Sequence, residues 1–577
     1  MHIDMMKTNE GILKSTKFWL LPALGLALAA LIINVAQAQN SAATEGRYLI
    51  SGQISDPQGL PVEGAEVIAI TTGSETVLAE AESQEDGTWN LHLTSLPAGN
   101  LEVIIERAHY ESKEIIIEGS ARQALQENRI YSLGELSLER RVTPAFWIAT
   151  SIFVAVLLLI AFEKLHNTSA SLVGLSAVFL VSYVGGTLDK DYFILDFERA
   201  LTYINWEVIF LVMAMMIVVA VIEGTGIFQW MAFQAYRLSR GNTRILVLIL
   251  MLITAIASAL LDNFTTMLLM TPISLQIALA VGINPLALII PEVLASNVGG
   301  ISTLIGTPTN ILIGAYAGIG FSDFLANQTA GVVIALVVMG GYVLYHYRQE
   351  WRKHPGGVSD ELYERLKQNA RLKDPAALWK SGLVFILVLA GFVIGETYHV
   401  VPAVPALVGA TILLIWLKPD VHSMIHAVDW TTLVFFMGLF IVVGAVQEVG
   451  LMGLAAEWMS HVVGDNLTLG VFMIVFGVGT LSVGVANIPL AASMLPIVEF
   501  LSGTIPGAGN QVLYYALSMG AAMGGNGLLI GAEANLVTAG ITEQAGVRIS
   551  FKEFMKVGLP VTYLTLLVGY IWLLIRF

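Results

Sequence analysis

Two copies of one pattern lie 224 residues apart in this chain, each inside a stretch of mostly apolar residues. Asn263 and Asn487 have this spacing. Other pairs at this spacing, or one residue further apart, are Trp206 and Trp430, Gly226 and Gly450, Met270 and Met494, Pro272 and Pro496, Gly299 and Gly524, and Asn310 and Asn535. A repeat built around polar, Gly-rich interruptions of hydrophobic helices is typical of secondary transporters, whose interrupted helices meet near the middle of the membrane and form the binding site.

The composition indicates that most of the chain lies in a membrane. Of the 577 residues, 56% are hydrophobic and only 13% are charged. Many apolar stretches reach the length of about 20 residues that a transmembrane helix needs. We therefore expect a polytopic α-helical membrane protein rather than an enzyme, with no catalytic residue and no nucleic-acid partner. The chain has no Cys, which excludes disulfides and thiolate metal sites.

The first 38 residues have the features of a signal peptide. Three lysines precede the apolar run Phe18–Val35, and Ala36–Ala38 matches an A-x-A cleavage site. An uncleaved signal anchor is the alternative interpretation of residues 1–38. Both interpretations place the segment that follows outside the cytoplasm.

Residues 45–141 form a separate, acidic segment. They hold 17 Asp and Glu but only 7 Lys and Arg, so most of the net charge of −15 belongs to them. Polar and apolar residues alternate between turn signals, which predicts a small antiparallel, all-β sandwich. The segment resembles carboxypeptidase-regulatory-like, transthyretin-like modules at Gly52, Asp56, Gly59, Pro61, Gly64, Ala65, Val67 and Asp86–Trp89. That resemblance implies a fold but no activity, and we interpret the segment as a stalk or an interaction module.

The membrane region divides into a first repeat (145–347), a charged cytoplasmic linker (348–380) and a second repeat (381–577). We assume that the sandwich is external and that the stretch around each tip is a hairpin that enters and leaves the membrane on one side. The internal loops then hold 16 Lys and Arg. The external membrane loops then hold only Lys190 and Arg199, in agreement with the positive-inside rule. On this path each repeat has five crossings and one re-entrant hairpin. Because five is an odd number, the second repeat starts on the opposite side of the membrane and is inverted relative to the first. We expect a multi-pass protein of the cell inner (plasma) membrane with an external or periplasmic β domain.

Four segments carry the expected chemistry: the hairpin tips 261–266 and 486–489, and the helix breaks 297–310 and 524–535. Irregular backbone at membrane depth is tolerated only where it lines a cavity or is buried in protein. Glycine permits the dihedral angles that unwinding needs. Freed carbonyls and Asn side-chain oxygens suit Na⁺, whereas helix N-termini attract an anion. One break therefore has groups for both ligands.

These segments supply the candidate substrate-binding and ion-binding residues. They are Asp262, Asn263, Thr265, Thr266, Asn297, Gly299, Gly300, Thr303, Gly306, Thr307, Asn310, Asn487, Pro489, Gly524, Gly525, Asn526, Gly531, Glu533 and Asn535. Among them Asn263, Asn310, Asn487 and Asn535 are candidates for a Na⁺ site. We expect Asn263 and Asn310 on one side of a pseudo-twofold axis and Asn487 and Asn535 on the other. Asp262 is interpreted as an ion or proton ligand, or alternatively as a structural cap. Glu292 fits a functional and a structural role equally well.

The four segments resemble those of the ion transporter superfamily. The similarity is greatest to the branch of the arsenical permeases and the melanocyte P protein, with a citrate transporter-like domain, and then to the citrate and divalent-anion/sodium symporters. It rests on Asp262-Asn263, Gly299–Asn310 and Gly524–Asn535 and covers about residues 145–577. The resemblance implies a scaffold and a moving transport domain, a homodimer and an elevator-type motion.

The chain departs from the P protein-like pattern at three places. Ala486 stands where that branch usually has Asp before the second-tip Asn. Residues 306–310 read Gly-Thr-Pro-Thr-Asn instead of Gly-Asp-Pro-Pro-Asn, which is closer to the dicarboxylate symporters. Glu533 replaces a residue that is usually small. The coupling ion and its stoichiometry therefore cannot be transferred from the resemblance.

Three functional hypotheses follow from the sequence. The first is a secondary active transporter that moves a small anion, either a carboxylate or an inorganic oxyanion, coupled to Na⁺ or H⁺ in symport or antiport. The second is a Na⁺/H⁺ antiporter, which the intramembrane Asp262 and Glu533 favour. The third is a membrane sensor that uses the external domain. The expected partners are membrane lipid, the anion and the coupling cation, and no cofactor other than that ion is expected.

Overall fold

The computed structural model describes residues 48–57, 59, 61–73, 76–97, 99–162, 164–353, 364, 367–368 and 372–577. The chain divides into two compact units, Met1–Arg141 and Val142–Phe577. The proposed signal segment 1–38 and most of the linker after residue 353 lie outside the described residues.

The first unit contains two β-sheets around one hydrophobic core. Its strands are β1 (Tyr48–Ser55), β2 (Glu66–Thr71), β3 (Val77–Glu82), β4 (Thr88–Leu93), β5 (Leu101–Glu106), β6 (Lys113–Ile117) and β7 (Ile130–Ser137). The strand orders are β4-β1-β7 and β3-β2-β5-β6. Ile50 and Trp89 from one sheet and Val67 and Val103 from the other are buried in the same core. The alternation seen in the sequence thus corresponds to inward-facing and outward-facing side chains.

This unit differs from a purely antiparallel, all-β sandwich in one strand pair. β1 and β7 are parallel, with Leu49 opposite Ile130. Parallel neighbours need a long crossover connection. Helix α1 (Gly119–Asn128) lies in that connection and buries Leu125 against the core.

The second unit is helical, and its two halves contain the same helices in the same order. The first half has α2 (Pro144–Ala161), α3 (Asn167–Leu188), α4 (Phe197–Thr202), α5 (Trp206–Gly224), α6 (Ile227–Ser239), α7 (Thr243–Leu260), α8 (Asn263–Val281), α9 (Leu286–Gly299), α10 (Pro308–Ala317) and α11 (Phe321–His346). After the short α12 (Glu350–Lys353), the second half has α13 (Pro375–Thr397), α14 (Ala403–Leu417), α15 (Val421–Ala427), α16 (Trp430–Glu448), α17 (Leu451–Val463), α18 (Leu467–Ser482), α19 (Asn487–Thr504), α20 (Val512–Gly524), α21 (Glu533–Gln544) and α22 (Phe551–Arg576).

Eight helices in the described part of the chain are long and apolar enough to cross a membrane. They are α3, α5, α7, α8, α11, α13, α16 and α22. Helix α13 begins at Pro375, inside the segment assigned to the linker. Asp374 caps this helix by accepting a hydrogen bond of 2.9 Å from the Ala377 amide, and proline suits the first helical position.

The two halves pack through equivalent pairs of helices, with one helix of each pair from each half. α3 packs on α16, and its equivalent α14 packs on α5. Likewise α8 packs on α21, and α19 packs on α10. As a consequence, the hairpin of each half meets the broken helix of the other half. The predicted fold class, a polytopic helical protein of two repeats preceded by a β domain, is confirmed.

Candidate functional site

The two hairpin tips differ in how their second helices begin. Asp262 caps α8, because its Oδ1 accepts a hydrogen bond of 2.7 Å from the Thr265 amide. Ala486 holds the equivalent position before α19 and offers no side-chain cap. Asn487 and Pro489 are buried in the first turn of that helix. Asp262 therefore has a capping role that the second tip lacks.

The glycines of the breaks are required by space. A Cβ atom on Gly300 or on Gly306 would overlap the backbone oxygen of the other residue. Gly525 and Gly531 face each other in the same way in the second break. Gly300 and Gly525 have φ of −57° and −56°, angles open to any residue. The prediction that glycine is needed here for unusual dihedral angles is therefore wrong for these two residues. Glycine is needed because another backbone segment approaches closely.

The helix before each break packs closely on its neighbour. A Cβ on Gly299 would meet the Ala255 backbone, and one on Gly524 would meet Gly479. Beside these contacts, Ser258 donates to the Ser296 carbonyl (2.8 Å). In the second half, the equivalent hydrogen bond runs from Ser482 to the Ala521 carbonyl (2.7 Å). These symmetric contacts belong to the architecture of both repeats.

Asn310 and Asn535 stabilise the two breaks in an equivalent way. Asn310 Nδ2 donates to the Thr303 carbonyl (2.8 Å), and Asn535 Nδ2 donates to the Leu528 carbonyl (2.9 Å). Their Oδ1 atoms accept hydrogen bonds from the opposite repeat. Ser518 donates to Asn310 (2.6 Å), and Asn297 donates to Asn535 (3.0 Å). Both amides thus connect the two repeats at the centre of the unit.

Asn297 is the centre of a cluster of four buried amides. Its Oδ1 accepts a hydrogen bond from Asn263 Nδ2 (2.9 Å), and its Nδ2 donates to Asn526 Oδ1 (2.8 Å) as well as to Asn535. Asn263 is therefore connected to Asn535 of the other repeat. The expected grouping of Asn263 with Asn310 is wrong, because α8 packs on α21 of the opposite half. Asn487 forms none of the hydrogen bonds of this cluster.

The threonines of the first tip and break have two kinds of surroundings. Thr303 donates to the Ala259 carbonyl and accepts from the Gly306 amide (3.1 Å), so it holds the break against α7. Thr266 and Thr307 are buried, and their hydroxyls have no hydrogen-bond partner in the described structure. Unpaired buried hydroxyls are uncommon in proteins and leave oxygen atoms for a ligand.

A cavity of about 530 Å³ adjoins this region. Its lining includes Phe264 of the first tip and Glu533, the first residue of α21. The opposite wall is formed by the N-terminal ends of α3 and α16, with His166, Asn167 and Asp429. The repeat-related cavity, of about 260 Å³, is lined by Asn205 and Pro496 but by no residue of the second tip or first break. Only the larger of these two cavities reaches candidate residues.

Asp429 is a residue of this cavity that the sequence analysis missed. It caps α16 through hydrogen bonds from the Thr431 and Thr432 amides (3.0 and 3.2 Å). Burial acts to raise the pKa of Asp429, but the hydrogen bonds from these two threonines outweigh it and hold the pKa below its usual value. A signal existed, because Asp429 and Asn205 each precede a tryptophan of the repeated pair. Asp429 therefore carries a negative charge into the cavity wall.

Comparison with known proteins gives the family. Residues 157–514 match the citrate transporter family. The chain belongs to that family. The transporter is 36% identical to a 46 kDa membrane protein of Mycobacterium leprae over 432 residues, which are 74% of this chain and 98% of that protein. It is 33% identical to an uncharacterized transporter of Synechocystis, covering 72% and 94% of the two chains.

Two further similarities are more distant. The human P protein is 30% identical to the transporter over 76% of this chain and 60% of its own length. The crystal structure of the Alcanivorax borkumensis YdaH transporter aligns with a TM-score of 0.48 at 16% identity, over 71% of this chain and 98% of that one. The predicted resemblance to citrate transporters and the P protein is confirmed, and the protein is a multi-pass membrane transporter rather than an enzyme.

Proposed function

We propose that this transporter moves a small anion, a carboxylate or an inorganic oxyanion, coupled to Na⁺ or H⁺ by an elevator-type motion. The observation that supports this most is the 530 Å³ cavity, which ends at the first tip and at the N-terminus of α21. The name of the family favours a carboxylate of the citrate class among the possible anions.

The anion requires a cation at this site. The N-terminus of α21 has no side-chain cap and offers amide groups and a positive dipole end to an anion, whereas Asp262 and Asn263 accept hydrogen bonds from the first amides of α8. However, Asp429 and Glu533 line the cavity, and Asp262 is near enough to both for electrostatic repulsion. Two like charges about 4 Å apart repel by about 4 kcal/mol at an effective dielectric constant of 20. Bound cations or protons remove this penalty, and this requirement couples anion binding to cation binding.

The cation site is proposed near the first tip and break. The amides of Asn297, Asn310 and Asn535 are used in hydrogen bonds between the repeats. The unpaired hydroxyls of Thr266 and Thr307 are then the additional oxygen ligands. Hydroxyl, amide and carbonyl oxygens form the kind of shell that a hard cation such as Na⁺ prefers.

The elevator motion is supported by the inequality of the two repeat-related cavities. The larger cavity lies at the N-terminal ends of α3 and α16, which the positive-inside rule assigns to the cytoplasm. In this proposal the described conformation faces inward, and movement of tips and breaks relative to α3 and α16 opens the other side. The protein works as a homodimer surrounded by lipid in the inner (plasma) membrane, with its β domain outside.

A Na⁺/H⁺ antiporter is the second candidate, because the acidic cavity suits a cation alone. Uptake into proteoliposomes decides between the two. Anion transport predicts accumulation of labelled citrate or another carboxylate that depends on Na⁺ or pH. Antiport predicts Na⁺-driven proton movement that no anion changes.

The experiment on coupling compares Asp262→Asn with Asn487→Ala. Asp262→Asn keeps a capping oxygen but removes the charge, and we expect it to weaken cation affinity by roughly a few kcal/mol in this poorly solvated site. Asn487→Ala, in the equivalent tip, is expected to change substrate affinity more than cation dependence. Unchanged Na⁺ and pH dependence of uptake in Asp262→Asn would contradict a coupling role for this carboxylate.

A further inference from the structure

Glu292 is a fully buried carboxyl group on α9, five residues before the amide centre Asn297. Five residues along a helix correspond to a rise of about 7.5 Å. Glu292 Oε2 accepts hydrogen bonds from Ser274 of α8 (2.7 Å) and Thr254 of α7 (3.4 Å). Its Oε1 has no hydrogen-bond partner in the described structure. The carboxyl is thus close to the candidate site but is not part of the amide cluster.

This polar group is present in only one of the two repeats. The repeat-equivalent positions of Thr254, Ser274 and Glu292 are Val478, Val498 and Leu517. A contact that the architecture requires, such as the serine-to-carbonyl hydrogen bond between α7 and α9, occurs in both repeats. In contrast, the second repeat has apolar side chains at the three positions equivalent to Thr254, Ser274 and Glu292, so the fold accepts apolar residues there. Architecture alone does not explain a buried carboxyl here.

Within the described part of the chain, no charged group pairs with Glu292. The titratable side chains on the helices packed against α9 are Arg244, Asp323, Tyr342, Tyr345, His346, Tyr514, Tyr515, Glu533, Glu543, Lys552, Glu553, Lys556, Tyr563, Tyr570 and Arg576. In the described chain, none of them forms an ion pair or hydrogen bond with Glu292. An isolated carboxylate in a low-dielectric interior is strongly unfavourable, so a buried carboxyl without a counter-ion is neutral.

We propose that Glu292 is the proton-binding residue of this transporter, holding a proton in the described conformation and releasing it in the alternate one. On release the carboxyl O–H bond breaks, the proton passes to water, and the electron pair stays on the carboxylate. Ser274 and Thr254 then stabilise the anionic form with their hydroxyl groups. The inference rests on the proposed transport function, because it assigns the coupling proton to a residue of that mechanism.

The first test does not need a substrate. Infrared difference spectra of the purified full-length protein are recorded during a pH titration, and the carbonyl band of protonated carboxyl groups is followed. We expect this band at neutral pH in the wild type to lose the contribution of one carboxyl group in Glu292→Gln. The matched control is Glu448→Gln, which removes a buried carboxylate paired with Arg199 at 2.6 Å and should leave this band in place. A band that persists unchanged in Glu292→Gln overturns the proposal.

A second pair of variants keeps the test valid if Glu292→Gln does not fold. Ser274→Ala removes a hydrogen-bond donor of the ionised form and is expected to move the pH midpoint of the band upward. Ser274→Thr retains a hydroxyl and should restore the midpoint. A midpoint that is the same in all three proteins contradicts the assignment of the band to Glu292.

The transport assay then connects the proton to coupling. In proteoliposomes, a pH gradient of one unit supports roughly tenfold accumulation for one coupled proton, and we expect Glu292→Gln to abolish it. Exchange of labelled for unlabelled anion at equal pH should continue. Full gradient-driven accumulation in Glu292→Gln refutes the proposal. If the wild type transports no anion, the proposed function fails, while the infrared result still decides whether Glu292 binds a proton.

Discussion

The amide centre Asn297 leads to a quantitative prediction about stability. The change Asn297→Ala removes three hydrogen bonds, one from Asn263 and one each to Asn526 and Asn535, with lengths between 2.8 and 3.0 Å. Alanine suits the helix at this point, because the repeat-equivalent residue is Ala522. The main effect is therefore the loss of these bonds and not a change in helix packing.

The size of the effect follows from measured values for membrane proteins. Interhelical side-chain hydrogen bonds in membranes contribute about 0.6 kcal/mol on average and up to about 1.7 kcal/mol each. Three bonds then correspond to about 2 kcal/mol, with an upper bound of about 5 kcal/mol. The upper part of this range applies if the three partners stay buried without new hydrogen bonds.

The control is Ser518→Ala, which removes a single hydrogen bond between the repeats, from Ser518 to Asn310 (2.6 Å). We expect a loss of about 0.6 to 1.7 kcal/mol for this variant. The assay is reversible unfolding of both purified variants in the same detergent, compared as free energies of unfolding. If Asn297→Ala is no less stable than Ser518→Ala, the amide cluster does not hold the two repeats together as described.

Two further predictions concern backbone space and helix capping. Gly299→Ala places a Cβ against the Ala255 backbone and should cost at least about 1–3 kcal/mol in thermal unfolding. Gly453→Ala, at a helix position with no atom within 4 Å, should instead be neutral or stabilising by up to about 1 kcal/mol, and equal effects would contradict the packing argument. Asp429→Ala should destabilise by about 0.5–2 kcal/mol through loss of the α16 cap. Asp429→Asn should retain most of that stability while altering the cation dependence of uptake, and a cation dependence equal to that of the wild type would argue against a role for the charge.

The sequence contained the repeat, the helices and the positions of the tips and breaks. These features are local, because apolar length determines where a membrane helix lies, and polar or glycine residues mark where it is interrupted. The equivalence of Asn310 and Asn535 was also visible from spacing alone. In the structure both amides bond the carbonyls of their own breaks, seven residues back along the chain.

The role of the glycines shows a limit of local reasoning. Glycine in an interrupted helix suggested unusual dihedral angles. Gly300 and Gly525 instead have ordinary helical angles and are needed because another backbone segment lies against them. The identity of that segment depends on packing between residues distant in sequence, or on how the break folds back on itself.

Only the tertiary structure decided which residues contact Asn263 and that Asp429 lines the larger cavity. The repeat spacing relates Asn263 to Asn487, but it does not state which half each of them contacts. Packing of α8 on α21, and of α3 on α16, places residues of opposite repeats side by side. Spacing records which positions are equivalent, whereas contacts depend on how apolar helix surfaces fit together across the whole unit. For this reason the sequence determined the parts of the candidate site, and helix packing between the repeats determined which of those parts meet.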